Sequence, residues 1–222
     1  PNHDFNDGSA SFPNNTNEVD QDLVILRNAQ IAETITELDQ GSLDVILLNG
    51  AAVDMLSAGC WDGSKNVAVG CNADSDWLID PLGSDGFLSA DTHNGHTQPN
   101  GLYHYHGEPG ALYDENPGPE GSPVIGFAAD GFPVYGPYFL DSDSGQIRKA
   151  RSGYTLKEGT RPSGPGGIYD GFYNEDWEYT DAGDLDRCNG MTIDGQYGYF
   201  LTDNYPWIIK CFVGSPHFSF NK

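Results

Sequence analysis

A chain of 222 residues with 37% hydrophobic and 12% aromatic content can bury a real core, and suits one large β-rich domain or two small ones. Its 10 Lys plus Arg against 33 Asp plus Glu leave a formal net charge of -23. That charge repels nucleic-acid phosphates and anionic membranes and favours cations, and no apolar run reaches the roughly eighteen residues of a membrane span.

Residues 1–20 are rich in Asn, Asp and Pro, with too few aliphatic side chains to offset their own ordering entropy. Docking on their own domain or on a neighbouring subunit is the expected way to order them, the latter helped by a first strand carrying Leu23, Val24, Ile25 and Leu26. A strand donated to a neighbour's sheet edge combines backbone hydrogen bonds with alternating side-chain pockets. Repeated head to tail, it builds a homo-oligomer or an open filament. This divides the chain into residues 1–28, the polar segment and first strand, and residues 29–222, the main domain. The sequon Asn14-Asn15-Thr16 makes Asn14 a candidate for a glycan. A start at Pro1, without a basic n-region or an apolar h-region, reads as a mature exported product, placing the protein outside the cell or at its surface.

Further along, residues 32–38 and 43–50 alternate or concentrate aliphatic side chains as strands do, and Ala51–Ser57 is the first candidate for a short helix. From Gly50 onward prolines and glycines separate short aromatic runs at residues 124–128, 132–140, 197–202 and 207–213. Residues 140–147 read as a hairpin tip, and Asp184–Arg187 as at most one helical turn. The predicted fold is mainly β: an antiparallel, sandwich-like single domain with long ordered loops, few short helices and two disulfides.

Cys60, Cys71, Cys188 and Cys211 lack Cys-x-x-Cys spacing, which favours disulfides over a metal knuckle. Three pairings are open. Cys60 with Cys71 and Cys188 with Cys211 is preferred, since each closes a local loop.

Four of the six histidines, His93, His96, His104 and His106, fall within fourteen residues. Along a strand successive side chains alternate faces, so His104 and His106 share one face while Tyr103 and Tyr105 take the other. Two imidazoles placed in this way can grip one ion.

The run His96-Thr-Gln-Pro-Asn-Gly-Leu-Tyr-His-Tyr-His-Gly107 resembles the signature of the YHYH protein family. Residues 125–136, 159–162, 164–171, 176–179, 183–190 and 197–203 resemble that family's further blocks, in its order. The resemblance covers about residue 45 to the C-terminus and leaves the first 40 residues outside. The family is largely of unknown function and occurs in exported and cell-surface proteins, so the resemblance implies a location but no reaction. His93 falls outside its pattern.

The expected metal set is His96, His104 and His106, with a carboxylate such as Asp91, Asp130, Asp184 or Asp186 completing the shell; Asp130 and Asp186 are the preferred pair. Imidazole suits copper or zinc. Calcium is the lesser alternative at acidic loops such as Asp141-Ser-Asp143-Ser-Gly145, which lacks the EF-hand spacing. The competing reading has the histidines hydrogen-bonding a loop-rich interior. Two functions follow: a non-catalytic exported protein that assembles through its N-terminal segment, and an extracellular metal-dependent hydrolase or oxidase using the histidines. No Gly-x-Ser-x-Gly elbow, His-Glu-x-x-His helix or phosphate loop supports another chemistry.

Overall fold

The computed structural model describes residues 14–64, 67–71, 75–83 and 90–222. The tail residues 1–13, and the docking expected of them, lie outside the described residues.

Among the described residues, glycines and prolines cut the chain into sixteen short strands. The first seven are β1 (Thr36–Glu37), β2 (Val45–Leu47), β3 (Ala52–Val53), β4 (Gly59–Trp61), β5 (Val67–Val69), β6 (Gly95–Thr97) and β7 (Tyr103–Tyr105). Next come β8 (Val124–Ala128), β9 (Pro133–Tyr135), β10 (Tyr138–Asp141), β11 (Gln146–Lys149) and β12 (Tyr154–Leu156). The last four are β13 (Trp177–Tyr179), β14 (Gly190–Ile193), β15 (Gln196–Phe200) and β16 (Cys211–Phe212). Two 3-10 turns, Asn174–Asp176 and Phe218–Phe220, supply the helical content of the described residues.

Eight strands form one sheet in the order β14-β15-β9-β8-β2-β3-β7-β6. Its pairings are antiparallel except at β9–β15 and β3–β7, which run parallel, so the sheet is mixed. Two-stranded ribbons β1–β16, β4–β5, β10–β11 and β12–β13 surround it. Val45, Val53, Ala128, Val134 and Tyr199, from five of the eight strands, are wholly buried. Each buried Val of this set contributes ~1.5–3 kcal/mol relative to an exposed one. The predicted β-rich class is what the chain adopts, and residues 140–147 close the β10–β11 hairpin, with Asp141 opposite Gln146. Asp141 accepts from the Ser144 hydroxyl at 2.8 Å and Arg148 Nε at 2.9 Å, contacts that brace the hairpin turn.

Three local expectations are corrected. Ala51–Ser57 is extended, because Asn49 and Gly50 turn β2 back onto β3: Gly50 has φ +83°, and the Asn49 side chain accepts from the amide of Ala51 at 3.0 Å. Asn-Gly between aliphatic runs is a hairpin signal, and it overrides a weak helical preference. Residues 184–187 turn without a helix, since Asp186 Oδ1 takes the amides of Cys188 and Gly190 at 2.9 and 3.0 Å. Leu23, Val24, Ile25 and Leu26 join no sheet. Leu23 and Ile25 pack on their own domain's core, the amide of Val24 donates to Ser219 Oγ at 2.9 Å, and that of Ala32 donates to the carbonyl of Val213 at 2.8 Å.

The disulfides are Cys60–Cys71 and Cys188–Cys211, the two local pairings. The first ties β4 to the end of β5, and the second anchors β16 beside β14. With a sequence separation of 23, the second restricts the unfolded chain by an amount worth ~3 kcal/mol in the chain-entropy model. Replacing Cys188 and Cys211 together by Ala is expected to lower the free energy of unfolding by about that much, measured by urea denaturation.

Candidate metal centre

The histidines sit on the hairpin β6–β7, at one edge of the eight-stranded sheet. Register places His96 directly opposite His104. His106 follows two residues on and holds the hairpin's end, its amide donating to the carbonyl of Asn94 at 2.8 Å. Alternation then puts all three rings on one face. Tyr103 and Tyr105 share the other, with ring centroids 5.2 Å apart and hydroxyls bonded to Asp91 at 2.9 Å and Asn49 at 3.2 Å. Close packing makes Gly95 obligatory, because a Cβ there would meet the Tyr103 hydroxyl at 2.5 Å and the His104 carbonyl oxygen at 2.7 Å.

The rings are mutually near-perpendicular, with interplanar angles of 76°, 89° and 78°, and their Nε2 edges converge. His106 Nε2 lies 3.0 Å from His104 Nε2 and 3.1 Å from His96 Nε2. All three candidate ligand atoms fall within 4.8 Å of one another. A neutral imidazole nitrogen carries either a proton or a lone pair. His106 Nε2 therefore cannot donate to one neighbour while accepting from the other. A cation taking all three lone pairs satisfies every ring at once, and tetrahedral zinc bonds of ~2.0–2.1 Å separate such nitrogens by roughly 3.3 Å.

His104 and His106 are 2% and 3% exposed. Burial pushes the pKa of His104 down to about 3, with the charge of His96 adding to the effect. Burial, then His104 and His96, holds His106 well below the usual imidazole range. Both are neutral at pH 7 and so present lone pairs. The backbone at Leu102 acts on His104 and that at Asp54 on His106, each favouring the protonated ring, although neither Nδ1 makes a regular hydrogen bond. Protons on those Nδ1 atoms leave Nε2 free to bind a metal.

None of the carboxylates expected from the sequence reaches the three rings. Asp91 caps the turn before β6, accepting from the amides of His93 and Gly95 as well as from Tyr103. Asp130 accepts from the Tyr199 hydroxyl at 2.6 Å and the Gly214 amide at 3.0 Å, tying the β8–β9 turn to the C-terminal segment. Asp186 adds the Tyr197 hydroxyl at 2.9 Å to its two amides. Asp184 pairs with both terminal nitrogens of Arg148 at 2.8 Å. An acid beside a tight turn accepts the nearest amides, which is what these do. His93 also stands apart, its Nδ1 on the carbonyl of Pro109 at 2.9 Å.

The acid beside the histidines is Asp54. Parallel pairing sets Ala52 against His104 and Val53 against Tyr105, and the Asp54 amide continues it by donating to the Tyr105 carbonyl at 3.0 Å. Asp54 Oδ2 accepts from Gln98 Nε2 at 2.7 Å and from Lys222 Nζ. Burial raises its pKa to about 6, against the pull of Lys222. His96, His104, His106, Asp54, Gln98 and Lys222 face one chamber of about 590 Å³, part of whose wall is Ala58, Val69 and Cys71 of the β4–β5 ribbon. A second groove of about 850 Å³, between residues 25–31 and β14–β15, contains no histidine or carboxylate.

Asn14 to Asn17 strap the hairpin at the chamber's edge. Asn14 Nδ2 donates to the Thr97 carbonyl at 3.1 Å, the Thr16 and Thr97 hydroxyls lie 2.7 Å apart, and the Asn17 amide donates to the Gly101 carbonyl at 3.0 Å. Gly101 has φ +93°, and a Cβ on it would come within 2.7 Å of Asn17 Cβ.

The family model described as YHYH protein matches residues 22–214. This chain belongs to the YHYH protein family. The match begins at residue 22, earlier than the resemblance near residue 45 suggested, so Leu23 to Leu26 lie within the family's span. No curated protein and no solved structure matches the chain. Among the described residues no helix is long and apolar enough to cross a membrane. That and the two disulfides are compatible with an extracellular protein.

Because unfolded imidazole takes a proton below pH 6.5 and folded His104 does so only near 3, the metal-free protein loses stability as pH falls through this window. Relative to His104→Leu, the wild type is expected to lose roughly 1.4 kcal/mol per pH unit there, checked by paired denaturant titrations at pH 6.5 and 4.5.

Proposed function

We propose that this chain is an exported, disulfide-stabilised metal-binding protein in which His96, His104 and His106 hold one divalent ion, copper or zinc. What carries the reading is the convergence of three Nε2 atoms, two of them on buried, neutral rings, close enough for one ion to take all three lone pairs. Imidazole suits both metals, and the acidic surface raises the local concentration of cations. Assembly through Leu23 to Leu26 is a separate proposal: Leu23 and Ile25 are partly buried against their own domain's core while Val24 is exposed, and deleting residues 1–28 and measuring mass in solution tests it.

A second reading, extracellular metal-dependent hydrolysis or oxidation, is favoured by the chamber. Three histidines leave a coordination position open, as catalytic zinc sites do. An ion there would supply a Lewis acid and an acidified water. Asp54, Gln98 and Lys222 would orient whatever occupies the chamber.

Purified protein, prepared without a histidine tag and dialysed against zinc or copper, is expected to retain about one ion per chain by elemental analysis. His93→Ala should retain it. His104→Ala and His106→Ala should each weaken binding at least a hundredfold. Wild type emerging without metal, or binding unchanged in the His104→Ala, His106→Ala double variant, sinks the proposal.

A further inference from the structure

Imidazoles bind metals as neutral ligands, so a divalent ion on His96, His104 and His106 keeps both of its charges. The chamber offers it no counterion. Among the described residues of its lining the formal charges are Asp54 and Lys222, and these cancel, Lys222 Nζ donating to Asp54 Oδ2. Asp44 is 1% exposed and outside the lining, and burial, with the Asp54 charge adding to it, pushes its carboxyl well above the usual carboxylate range, so it brings no counter-charge. An ion half out of water is stabilised by an anion at its open position. Away from the histidines the wall is largely apolar. Leu56, Ala58, Val69, Pro99 and the Cys71 half of the disulfide line it, and Ala58, Pro99 and Val69 are exposed, Val69 by 79%. Apolar surface of this kind gains when a ligand covers it.

We propose that the chamber binds a small organic carboxylate with an apolar body, its carboxylate on the ion held by the histidines and its hydrocarbon over Leu56, Ala58, Val69 and Pro99. Charge selects the head, and the β4–β5 side of the chamber selects the body. A volume of about 590 Å³ falls among those of small-molecule sites, roughly 300–1,000 Å³. The inference rests on the three-histidine reading and adds to it the class of ligand.

The test uses the full chain loaded with cobalt(II), whose visible absorption reports what enters its open position, titrated with acetate, butyrate, hexanoate and hexanamide. Full burial of a methylene is worth roughly fourfold in affinity, so four methylenes lying on an open wall should tighten hexanoate over acetate by about tenfold or more. Hexanamide, of equal length but uncharged, should bind about tenfold more weakly than hexanoate or worse. Val69→Ser removes apolar wall at an exposed position and is expected to cut the gain from acetate to hexanoate about threefold or more, with acetate itself unchanged. Should Val69→Ser fail to melt cooperatively, Pro99→Ser takes its place with the same expected result. Equal affinity for acetate and hexanoate, hexanamide binding as tightly as hexanoate, or a chain-length gain untouched by the wall variant overturns the proposal. Failure of the wild type to take up cobalt is recorded before any probe is added; it overturns the histidine reading, and this one with it.

Discussion

Parallel hydrogen bonding between β3 and β7 is the constraint on which the site depends. It seals the inner side of the histidine hairpin, so that His104 and His106 lose water while His96, on the edge strand, stays half-buried. It also brings a residue from far earlier in the chain alongside His106. Without that ribbon of backbone bonds the same three imidazoles would hang on an isolated two-stranded hairpin, a structure only marginally stable in water. Burial then selects their chemistry. A ring that cannot afford a charge keeps its lone pair at neutral pH.

Sequence alone carried the parts of this arrangement that are local. Spacing of two between His104 and His106 gave a shared face, and the tyrosines between them fell on the other, as strand alternation requires. Loop closure picked both disulfides, and the hairpin at 140–147 followed from an Asp-Gly turn between aromatic runs. The position of His96 opposite His104 was also within reach, because Pro99-Asn100-Gly101 is a turn signal that folds one histidine onto the other.

What stayed hidden is the non-local part. Asp54 precedes His104 by a long, loop-rich stretch, and only a parallel register, which leaves no local mark, brings the two strands together. Asp130 and Asp186 drew notice because they sit beside glycines and turns, but that setting supplies amide donors and consumes the carboxylate. The continuous aliphatic run Leu23 to Leu26 reads as a strand. Its physical content is a half-buried surface, which the chain satisfies against its own core without sheet bonds. The helix expected at 51–57 gave way to Asn49-Gly50 for a similar reason, since a tight turn with positive φ commits its neighbours to extended backbone.

The ribbon β4–β5 closes by the Cys60–Cys71 bond, and Cys71 itself faces the chamber. A covalent sulfur bridge thus serves as masonry in the room where the imidazoles meet. The outline of that room is tied to the oxidation state of the surroundings, so a thiol-rich compartment would loosen one wall while leaving the hairpin and its three rings bonded as before.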